Sequence, residues 1–426
     1  MVVRRSSPRG ARDSAEGAVV LWLMRAPFSS KMEPVDYIPR ALEPELRRQL
    51  SRRKSVLLLG PRQTGKTTLL SRFPADLRVE LLLPEVRQRY ERNPGQLLGE
   101  IAALPRKGRR PPPLVVLDEV QRVPALLDVA QHAIDTGLAQ FVLTGSSARR
   151  LRRGPAVNLL PGRVVVLRLD PLSLAERADL PLDVLLLDGS LPGISSVANP
   201  ADRERDLRAY VHGYLEEEVR AEALVRNVGS FARFLELAGL ESGGLVSFRA
   251  LSQDLGIAHT TVASFYEILE DCLVAERVDP LARSRTRTRL TKSSRYLLFD
   301  MGVRRLCAGE GRRLPRERLG QLFEQWVGLE LIRQSRVGSS GTNVRFWRDP
   351  DGPEVDWVIE RGGTLVPVEI KWTDTPTSRD VRHVEVFLRE YREATRGFLV
   401  CRTPRRTKLS ERVTALPWQE IPALLA

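Results

Sequence analysis

The fold of the first half of this chain is decided by one stretch, Lys54-Ser55-Val56-Leu57-Leu58-Leu59-Gly60-Pro61-Arg62-Gln63-Thr64-Gly65-Lys66-Thr67-Thr68-Leu69-Leu70. It begins as a buried strand, continues as a loop bounded by two glycines and ends as the start of a helix. From Gly60 to Thr67 it fits the pattern G-x-x-x-x-G-K-[ST], in which the loop between a strand and a helix cradles phosphates. A chance glycine loop is the alternative, and the strand–loop–helix context argues against it. We therefore predict a phosphate-binding loop.

Each residue type in this loop has a chemical reason. Gly60 and Gly65 let the backbone curl until successive N–H groups point inward at a β-phosphate, which also lies at the positive end of the following helix dipole. Lys66 brings a mobile cation to the β- and γ-phosphates, and the hydroxyl of Thr67 binds the Mg²⁺ that bridges them. The residues predicted to contact nucleotide, from this loop and from two later strands, are Gly60, Pro61, Arg62, Gln63, Thr64, Gly65, Lys66, Thr67, Thr68, Asp118 and Ser146.

A second apolar strand ends in two carboxylates. Residues 114–117 form a continuous apolar run of the kind that is buried on both faces of a parallel sheet, and Asp118 and Glu119 follow directly. We predict that Asp118 holds the Mg²⁺ shell and that Glu119 orients or deprotonates the attacking water. The alternative is an acidic strand end that only caps a helix.

Two further segments extend this set of residues. The strand at 140–144 delivers Gly145-Ser146-Ser147 to the same sheet edge, where Ser146 is placed to sense a γ-phosphate. Arg163 immediately precedes another apolar strand, at 164–169. Its guanidinium either neutralises charge on the transferring phosphoryl group, in its own subunit or in a neighbour's, or lies at the surface in a turn. A role in a neighbour's site would require a homo-oligomer.

Composition sets the frame for these motifs. The chain has 426 residues, enough for two or three domains, and 67 basic against 53 acidic residues leave a net charge of +14, which favours a polyanion such as DNA as a partner. Three cysteines lie far apart without metal-ligand spacing, which indicates a reducing cytoplasm. We expect residues 1–36 to form a disordered extension, and the apolar run at 18–24 is too short to span a membrane.

The motifs of the first half resemble those of bacterial AAA-type ATPases, and specifically a broad prokaryotic group that joins such a module to a C-terminal nuclease-like domain. The resemblance is carried by Gly60–Thr67, Leu117-Asp118-Glu119-Val120-Gln121, Leu143-Thr144-Gly145-Ser146-Ser147 and Leu160-Pro161-Gly162-Arg163. It implies ATP and Mg²⁺ as cofactors, a nucleotide-binding domain over residues 37–200, and a helical lid over residues 201–245 that closes over the nucleotide.

Residues 246–316 are typical of a winged helix. The pattern predicts a helix at 247–255, a turn, and a second helix at 259–270 that in a DNA reader enters the major groove. That second helix carries Glu267 and Glu270 but no lysine or arginine, which argues against base reading. The next segment is basic and is predicted either to lie against phosphates or to pack between domains. Its basic residues are Arg283, Arg285, Arg287, Arg289, Lys292 and Arg295.

Residues 317–426 carry a second set of chemically active residues. Two alternating strands separated by Gly362-Gly363 read as a hairpin. Alternation puts Glu369 and Lys371 on one face, and the hairpin brings Asp356 alongside. We predict that the two carboxylates bind Mg²⁺ and that Lys371 positions a water or stabilises a pentavalent phosphate.

The order of these residues resembles the PD-(D/E)XK nuclease pattern. Glu324 matches the carboxylate that the first helix often contributes, so the resemblance implies a third metal ligand. Val355 stands before Asp356 where the pattern has proline.

The predicted fold class is therefore α/β, with a P-loop AAA-type ATPase domain, a helical lid, a winged helix and a C-terminal α/β PD-(D/E)XK nuclease-like domain. Two functions remain open. In the first, ATP binding and hydrolysis gate a Mg²⁺-dependent nuclease that acts on DNA. In the second, the chain is an ATP-dependent switch or scaffold whose winged-helix and nuclease-like modules bind partners without chemistry.

Overall fold

The computed structural model describes residues 37–105, 111–148, 160, 162–215, 228–281, 293–337, 341–349 and 352–425. The predicted N-terminal extension, residues 1–36, lies outside the described residues, as does most of the predicted basic ribbon, from Arg283 to Lys292. None of the described helices is long and apolar enough to cross a membrane.

A parallel five-stranded sheet forms the core of the first half, in the order β2-β3-β4-β1-β5. Its strands are β1 (Ser55–Leu59), β2 (Leu77–Glu80), β3 (Leu114–Asp118), β4 (Gln140–Gly145) and β5 (Val164–Arg168). The interior strand β1 is apolar on both faces because helices cover both: Val56 and Leu58 join one buried cluster, and Leu57 and Leu59 join another. The predicted parallel α/β sheet is confirmed.

Among the residues that the structure describes, five helices cover this sheet. They are α1 (Glu43–Ser51), α2 (Lys66–Ser71), α3 (Pro84–Arg92), α4 (Gln96–Ala102) and α5 (Ala125–Asp135). The second strand was predicted at 79–83 and lies two to three residues earlier, because Leu82 and Leu83 are exposed in a turn that leads into Pro84.

The middle of the chain is helical. Its first helices are α6 (Leu182–Asp188), α7 (Pro192–Ser195), α8 (Pro200–Tyr210), continued by a π-helical turn at Val211–Leu215, and α9 (Val228–Leu240). Next come α10 (Phe248–Leu255), α11 (His259–Asp271), β6 (Ala275–Val278), β7 (Arg295–Leu298) and α12 (Met301–Cys307). Gly256, at φ +64°, ends α10 as the left-handed cap that the predicted turn needs.

The segments predicted as lid and winged helix share one core. The ring of Phe234 in α9 lies 5.1 Å from that of Phe265 and 5.0 Å from that of Tyr266, both in α11. β6 and β7 pair antiparallel after α11. A helix–turn–helix followed by a two-stranded ribbon therefore packs directly on the helices that precede it.

The last part is a six-stranded mixed sheet in the order β12-β13-β11-β10-β9-β8. Its elements are α13 (Leu319–Val337), β8 (Thr342–Arg348), β9 (Glu354–Arg361), β10 (Thr364–Ile370), α14 (Arg382–Glu390), β11 (Gly397–Cys401), β12 (Thr407–Lys408) and β13 (Val413–Pro417). α13 and α14 cover opposite faces. Gly362 and Gly363, at φ +56° and +82°, form the turn of the predicted β9–β10 hairpin, because a two-residue hairpin turn of this kind needs positive φ at both positions.

An ion-pair cluster joins the three parts of the chain. Arg336 in α13 places Nη1 2.9 Å from Asp170 Oδ2 and Nη2 2.5 Å from Glu276 Oε2. Arg168 at the end of β5 pairs with the same two carboxylates. Although burial acts to raise it, the guanidinium groups of Arg336 and Arg168 hold the pKa of Asp170 at about 2. This cluster helps to make the chain from Pro39 onward one compact unit.

Candidate nucleotide and metal sites

The predicted phosphate loop lies between β1 and α2 and depends on its glycines. A Cβ on Gly60 would collide with the carbonyl oxygen of Leu169, and Gly65 adopts φ +89° immediately before the helix. Gln63 also has a positive φ, and the Thr64 hydroxyl donates to Pro61 O at 2.9 Å. The loop is therefore held in a curled conformation by its own residues.

Lys66 is buried and faces the inside of this loop. Its Nζ donates to Gly60 O at 2.8 Å and to Pro61 O at 3.0 Å, and lies 3.8 Å from Glu119 Oε1. Burial lowers the pKa of Lys66, while the nearby carboxylates of Glu119 and Asp118 oppose that shift. The ammonium group of Lys66 thus lies inside the loop, where a phosphate would bind.

Asp118, at the carboxyl end of β3, is joined to the loop. The Thr67 hydroxyl donates to Asp118 Oδ2 at 2.8 Å, and the Thr144 hydroxyl donates to Asp118 Oδ1. Thr67 and the neighbouring Thr68 are exposed in the first turn of α2. A hydroxyl and a carboxylate oxygen are ligands that Mg²⁺ accepts, so these two residues fit the predicted metal.

Glu119 is fixed by a small buried network. Its backbone N–H donates to Thr144 Oγ1 at 2.8 Å, and the Ser146 hydroxyl donates to Glu119 Oε2 at 2.9 Å. Gln121 Nε2 donates to the same oxygen and, at 2.9 Å, to Ser146 Oγ. Glu119 adopts φ +58°, which is uncommon for a residue with a side chain. The geometry brings Lys66, Asp118, Glu119 and Ser146 to one sheet edge, and their catalytic roles remain predictions.

A cleft of about 430 Å³ adjoins the phosphate loop on the side of α7 and α8. Arg62 and Gln63 of the loop line it, together with Ile194 and Tyr210, and the Tyr210 hydroxyl donates to Arg62 O at 3.3 Å. Sequence patterns assigned no role to Tyr210. The cleft therefore lies directly beside the loop that is predicted to bind phosphates.

Arg40 is a buried contact of the phosphate loop that sequence patterns missed. Its Nη1 donates to Thr64 O at 2.5 Å, its Nη2 to Asp170 O at 2.7 Å, and its Nε to Glu176 Oε1 at 2.9 Å. No motif marks it, because Glu176 and Asp170 lie more than 100 residues further along the chain.

Arg163 does not lie at the phosphate site of its own subunit. It precedes Val164, which pairs with Ser55 at the amino end of β1, whereas the phosphate loop follows the carboxyl end about 16 Å away along the strand. Arg163 Nε pairs with Asp135 Oδ1 at 2.6 Å on the surface. The predicted role within one subunit is therefore wrong, and a role in a neighbouring subunit's site stays a prediction.

In the C-terminal domain, Asp356 and Glu369 face each other across the hairpin. Val368 pairs with Trp357, so the next residues, Glu369 and Asp356, also lie opposite one another. Asp356 Oδ2 accepts from Ile370 N at 2.8 Å. Both side chains are buried, and no described residue gives Glu369 Oε2 a hydrogen-bond partner. An unpaired buried carboxylate oxygen beside a second carboxylate fits a divalent cation.

Electrostatics support the proximity of these groups. Burial raises the pKa of Asp356 well above its usual range, and the charges of Glu324 and Glu369 raise it further. Burial also raises the pKa of Glu369 to about 7 against the effect of Lys371, whose Nζ lies 2.6 Å from Glu369 Oε1. The predicted pairing of Glu369 with Lys371 on one face is confirmed.

The fourth predicted member, Glu324, is already paired with Arg295. Arg295 in β7 donates from Nη1 to Glu324 Oε1 at 2.5 Å and to Asp356 O at 3.4 Å, and its guanidinium lies 4.7 Å from the ring centre of Phe346. Arg295 is buried, so of the two alternatives for the basic segment this residue follows packing between domains and not contact with phosphates. Among the described residues no group of three or more acidic, His or Cys side chains is arranged to hold a metal ion. Of the three metal ligands predicted in this domain, Asp356 and Glu369 therefore remain.

The second helix of the predicted winged helix, α11, brings only acidic side chains to the cleft beside it. Glu267, Glu270 and Asp271 of α11 line this cleft with Glu276, and Arg168 and Arg277 line it as well. Burial raises the pKa of Glu270 to about 6, and Asp271 and Glu267 add to the shift while Arg277 opposes it. Because the acidic side chains of α11 repel phosphates, this helix is a poor candidate for the major groove.

Three families match successive parts of the chain. Residues 52–178 match the AAA domain, residues 181–313 match a domain of unknown function (DUF8612), and residues 319–421 match another domain of unknown function (DUF4143).

Two mycobacterial proteins are similar to the chain over most of its length. "Uncharacterized protein Rv2008c" of Mycobacterium tuberculosis is 30% identical over 383 residues, which are 88% of this chain and 82% of that protein. "Uncharacterized protein Mb2031c" of Mycobacterium bovis has the same identity and coverage.

Two solved structures are similar only at low TM-scores. "Structure of Drosophila ORC bound to AT-rich DNA and Cdc6" has a TM-score of 0.23 and 9% identity, and covers 63% of this chain and 89% of that one. "Crystal structure of protein VC1899 from Vibrio cholerae" has a TM-score of 0.19 and 10% identity, and covers 87% and 96%. Scores this low do not establish a shared fold.

Proposed function

Because this chain belongs to the same family as Rv2008c and Mb2031c, and because its residues 52–178 match the AAA domain, we propose that it binds ATP with Mg²⁺ and hydrolyses it. The observation that carries the proposal is the 2.8 Å hydrogen bond from the Thr67 hydroxyl to Asp118 Oδ2, which joins the phosphate loop to the acidic strand end. Glu119 lies one residue further along the same edge.

The side chains at this edge divide the chemistry among them. Lys66 exchanges its contacts with the Gly60 and Pro61 carbonyls for the β- and γ-phosphate oxygens. Glu119 takes the proton of the attacking water, and Ser146 and Gln121 hold its carboxylate in place. Mg²⁺, held by Thr67 and Asp118, would neutralise charge on the β- and γ-phosphates.

The test is nucleotide binding and hydrolysis by the Lys66→Ala variant. Losing the only loop ammonium should abolish or greatly weaken ATP binding, as measured by equilibrium titration with a fluorescent ATP analogue. Lys54→Ala is the matched control, since it removes an exposed lysine that precedes β1 and lies outside the predicted nucleotide contacts. Undiminished hydrolysis in Lys66→Ala would refute the assignment.

We further propose that nucleotide state gates Mg²⁺-dependent cleavage of DNA by the C-terminal domain. Asp356, Glu369 and Lys371 support this, since two buried carboxylates beside an ammonium group are the parts that metal-assisted phosphodiester hydrolysis needs. Plasmid and short duplexes incubated with and without Mg²⁺ and ATP are the test. Asp356→Ala and Lys371→Ala should each remove cleavage and leave ATP hydrolysis intact.

A second candidate is an ATP-dependent switch or scaffold whose C-terminal domain has no chemistry. It is favoured by the pairing of Arg295 with Glu324, which removes a carboxylate from the expected metal set. The incubation of plasmid and duplexes with and without Mg²⁺ and ATP also distinguishes the nuclease from the scaffold. Absence of Mg²⁺-dependent cleavage in the wild type, with ATP hydrolysis intact, would favour the scaffold.

A further inference from the structure

A cleft of about 380 Å³ lies in the C-terminal domain on strands β11, β12 and β13, and the β9–β10 carboxylates do not line it. Four basic residues line it against one acidic residue. The basic residues are Arg396, Arg406, Lys408 and Arg412, and the acidic one is Glu411.

Two of these cations have no carboxylate partner among the described residues. Lys408 is exposed, and the Arg396 guanidinium instead lies 5.6 Å from the ring centre of Phe398. The other two are partly neutralised from outside the cleft, since Arg406 pairs with Glu420 and Arg412 Nη2 lies 3.4 Å from Glu385 Oε2. Arg396 and Lys408 are therefore the groups available to an anion.

Apolar side chains also line the cleft. Phe398 and Leu424 are half-buried and Leu416 is buried. Cations beside an aromatic side chain are the combination that holds a sugar-phosphate backbone and an unstacked base. A double helix keeps its bases stacked and offers no such face.

This cleft contrasts with the cleft beside α11. To the α11 cleft, where a winged helix would meet DNA, α11 contributes Glu267, Glu270 and Asp271, beside Arg168 and Arg277. With a net charge of +14, the chain favours polyanions, but the acidic side chains of α11 repel phosphates. The basic cleft on the C-terminal sheet is the surface whose charge is complementary to a polyanion.

We propose that this cleft binds single-stranded nucleic acid, with backbone phosphates at Arg396 and Lys408 and a base against Phe398. The inference concerns binding alone. It depends neither on ATP hydrolysis nor on strand cleavage, so it can hold or fail separately from the proposed function.

The test is fluorescence anisotropy with a short labelled oligothymidine, in EDTA and without ATP. Arg396→Gln/Lys408→Gln removes two phosphate contacts, so the slope of log affinity against log salt should fall in magnitude by about 1.4. That change in slope corresponds to an affinity loss of about 25-fold at 0.1 M salt, with the affinities of the variant and the wild type taken as equal at 1 M. Circular dichroism verifies that the variant is folded.

The matched control is Arg52→Gln/Lys54→Gln, which removes the same charges from two exposed residues near the amino end of β1. It should leave the slope unchanged. An equal loss in both double variants would show that only net charge matters and would overturn the proposal, as would no loss in the cleft variant.

Phe398→Leu tests the base contact. It should weaken oligothymidine binding about fivefold or more while keeping the salt slope, because stacking releases no counterions. Unchanged affinity would refute the base contact. Duplex of equal length that binds as tightly as the single strand, and loses as much in the cleft variant, would overturn the assignment to single strands.

Discussion

The phosphate-loop edge and the acidic hairpin of the C-terminal domain are both buried clusters of carboxylates beside a lysine, yet they are built differently. At the first, every group comes from one parallel sheet or from the loops and helix at its carboxyl edge, and Asp118 accepts hydrogen bonds from both Thr67 and Thr144. At the second, Glu324 is taken by Arg295, whose strand belongs to the preceding module.

This difference shows what each site requires of its surroundings. Glu119 keeps its position because three residues of neighbouring strands and turns hold it, so the edge is organised before any ligand binds. Glu369 has one oxygen without a hydrogen-bond partner and a raised pKa, so the positive charge beside the hairpin is too small to balance its carboxylates. The following predictions test that contrast.

The largest effect is expected for Glu119→Gln. Losing the general base should lower kcat for ATP hydrolysis by about 10²–10⁴-fold while ATP still binds, because the amide keeps the shape of the carboxylate. Steady-state phosphate release measures kcat, and an ATP-binding titration measures the affinity for ATP. Glu91→Gln, at an exposed position in α3, serves as control and should change neither. A normal kcat in Glu119→Gln would place the base elsewhere.

Next comes Arg295→Met, which leaves Glu324 without its partner. Since Glu324 is one-quarter exposed and can hydrate, we expect the free energy of unfolding to fall by about 2–3 kcal/mol, less than for a fully buried pair. Urea unfolding followed by tryptophan fluorescence measures it.

The control for this variant is Arg345→Met, which breaks the pair of Arg345 with Glu360. This arginine is 32% exposed whereas Arg295 is 7% exposed, so the loss should be less than about 1 kcal/mol. ATP hydrolysis should survive both substitutions. Equal losses from the two variants would show that the Arg295 pair is an ordinary surface contact.

A smaller effect is expected for Thr144→Val, which keeps the shape but loses the hydroxyl between Asp118 and the Glu119 N–H. The loss of one buried hydroxyl that serves both groups should lower kcat/KM for ATP by about 5–30-fold, equivalent to about 1–2 kcal/mol. Thr136→Val removes an exposed hydroxyl that caps His132 O and should have no such effect. If the two variants behave alike, the strand-end network does not position Glu119.

Arg163→Ala should have the smallest effect on stability. Its pair with Asp135 is exposed, so we expect a change below about 1 kcal/mol in the free energy of unfolding. If Arg163 serves a neighbour's site, mixing Arg163→Ala with Glu119→Gln subunits should restore some turnover. No rescue, together with a monomeric ATP-bound protein in sedimentation, would leave Arg163 as a surface residue.

Local patterns were sufficient for the first site because its residues follow strand ends. Parallel strands carry their carboxyl ends to one edge, so Thr67, Asp118 and Ser146 could be placed together without knowing the sheet order. The same rule puts Arg163 at the opposite edge, since it precedes its strand rather than following it.

Long-range pairings could not be predicted in this way. Arg295 lies in a basic segment whose sequence left phosphate contact and domain packing both open, and only the packing of β7 against α13 and β9 makes it a buried partner of Glu324. Arg40 and Glu176 carry no motif, although together they hold the Thr64 carbonyl. A single sequence gives no signal for such pairs.

The cluster of Arg336 with Asp170 and Glu276 has a consequence for the order of protein synthesis. The ribosome makes both carboxylates long before Arg336, so an unfinished chain holds two acidic groups for the single guanidinium of Arg168. We expect this junction to stay hydrated and open in the nascent chain until α13 emerges. Ribosome-bound chains stalled before Leu319 should therefore be cut by protease between residues 170 and 276. Chains in which α13 has left the exit tunnel should resist the protease. If the shorter and the longer chains resist it equally, the junction between residues 170 and 276 folds without the last domain.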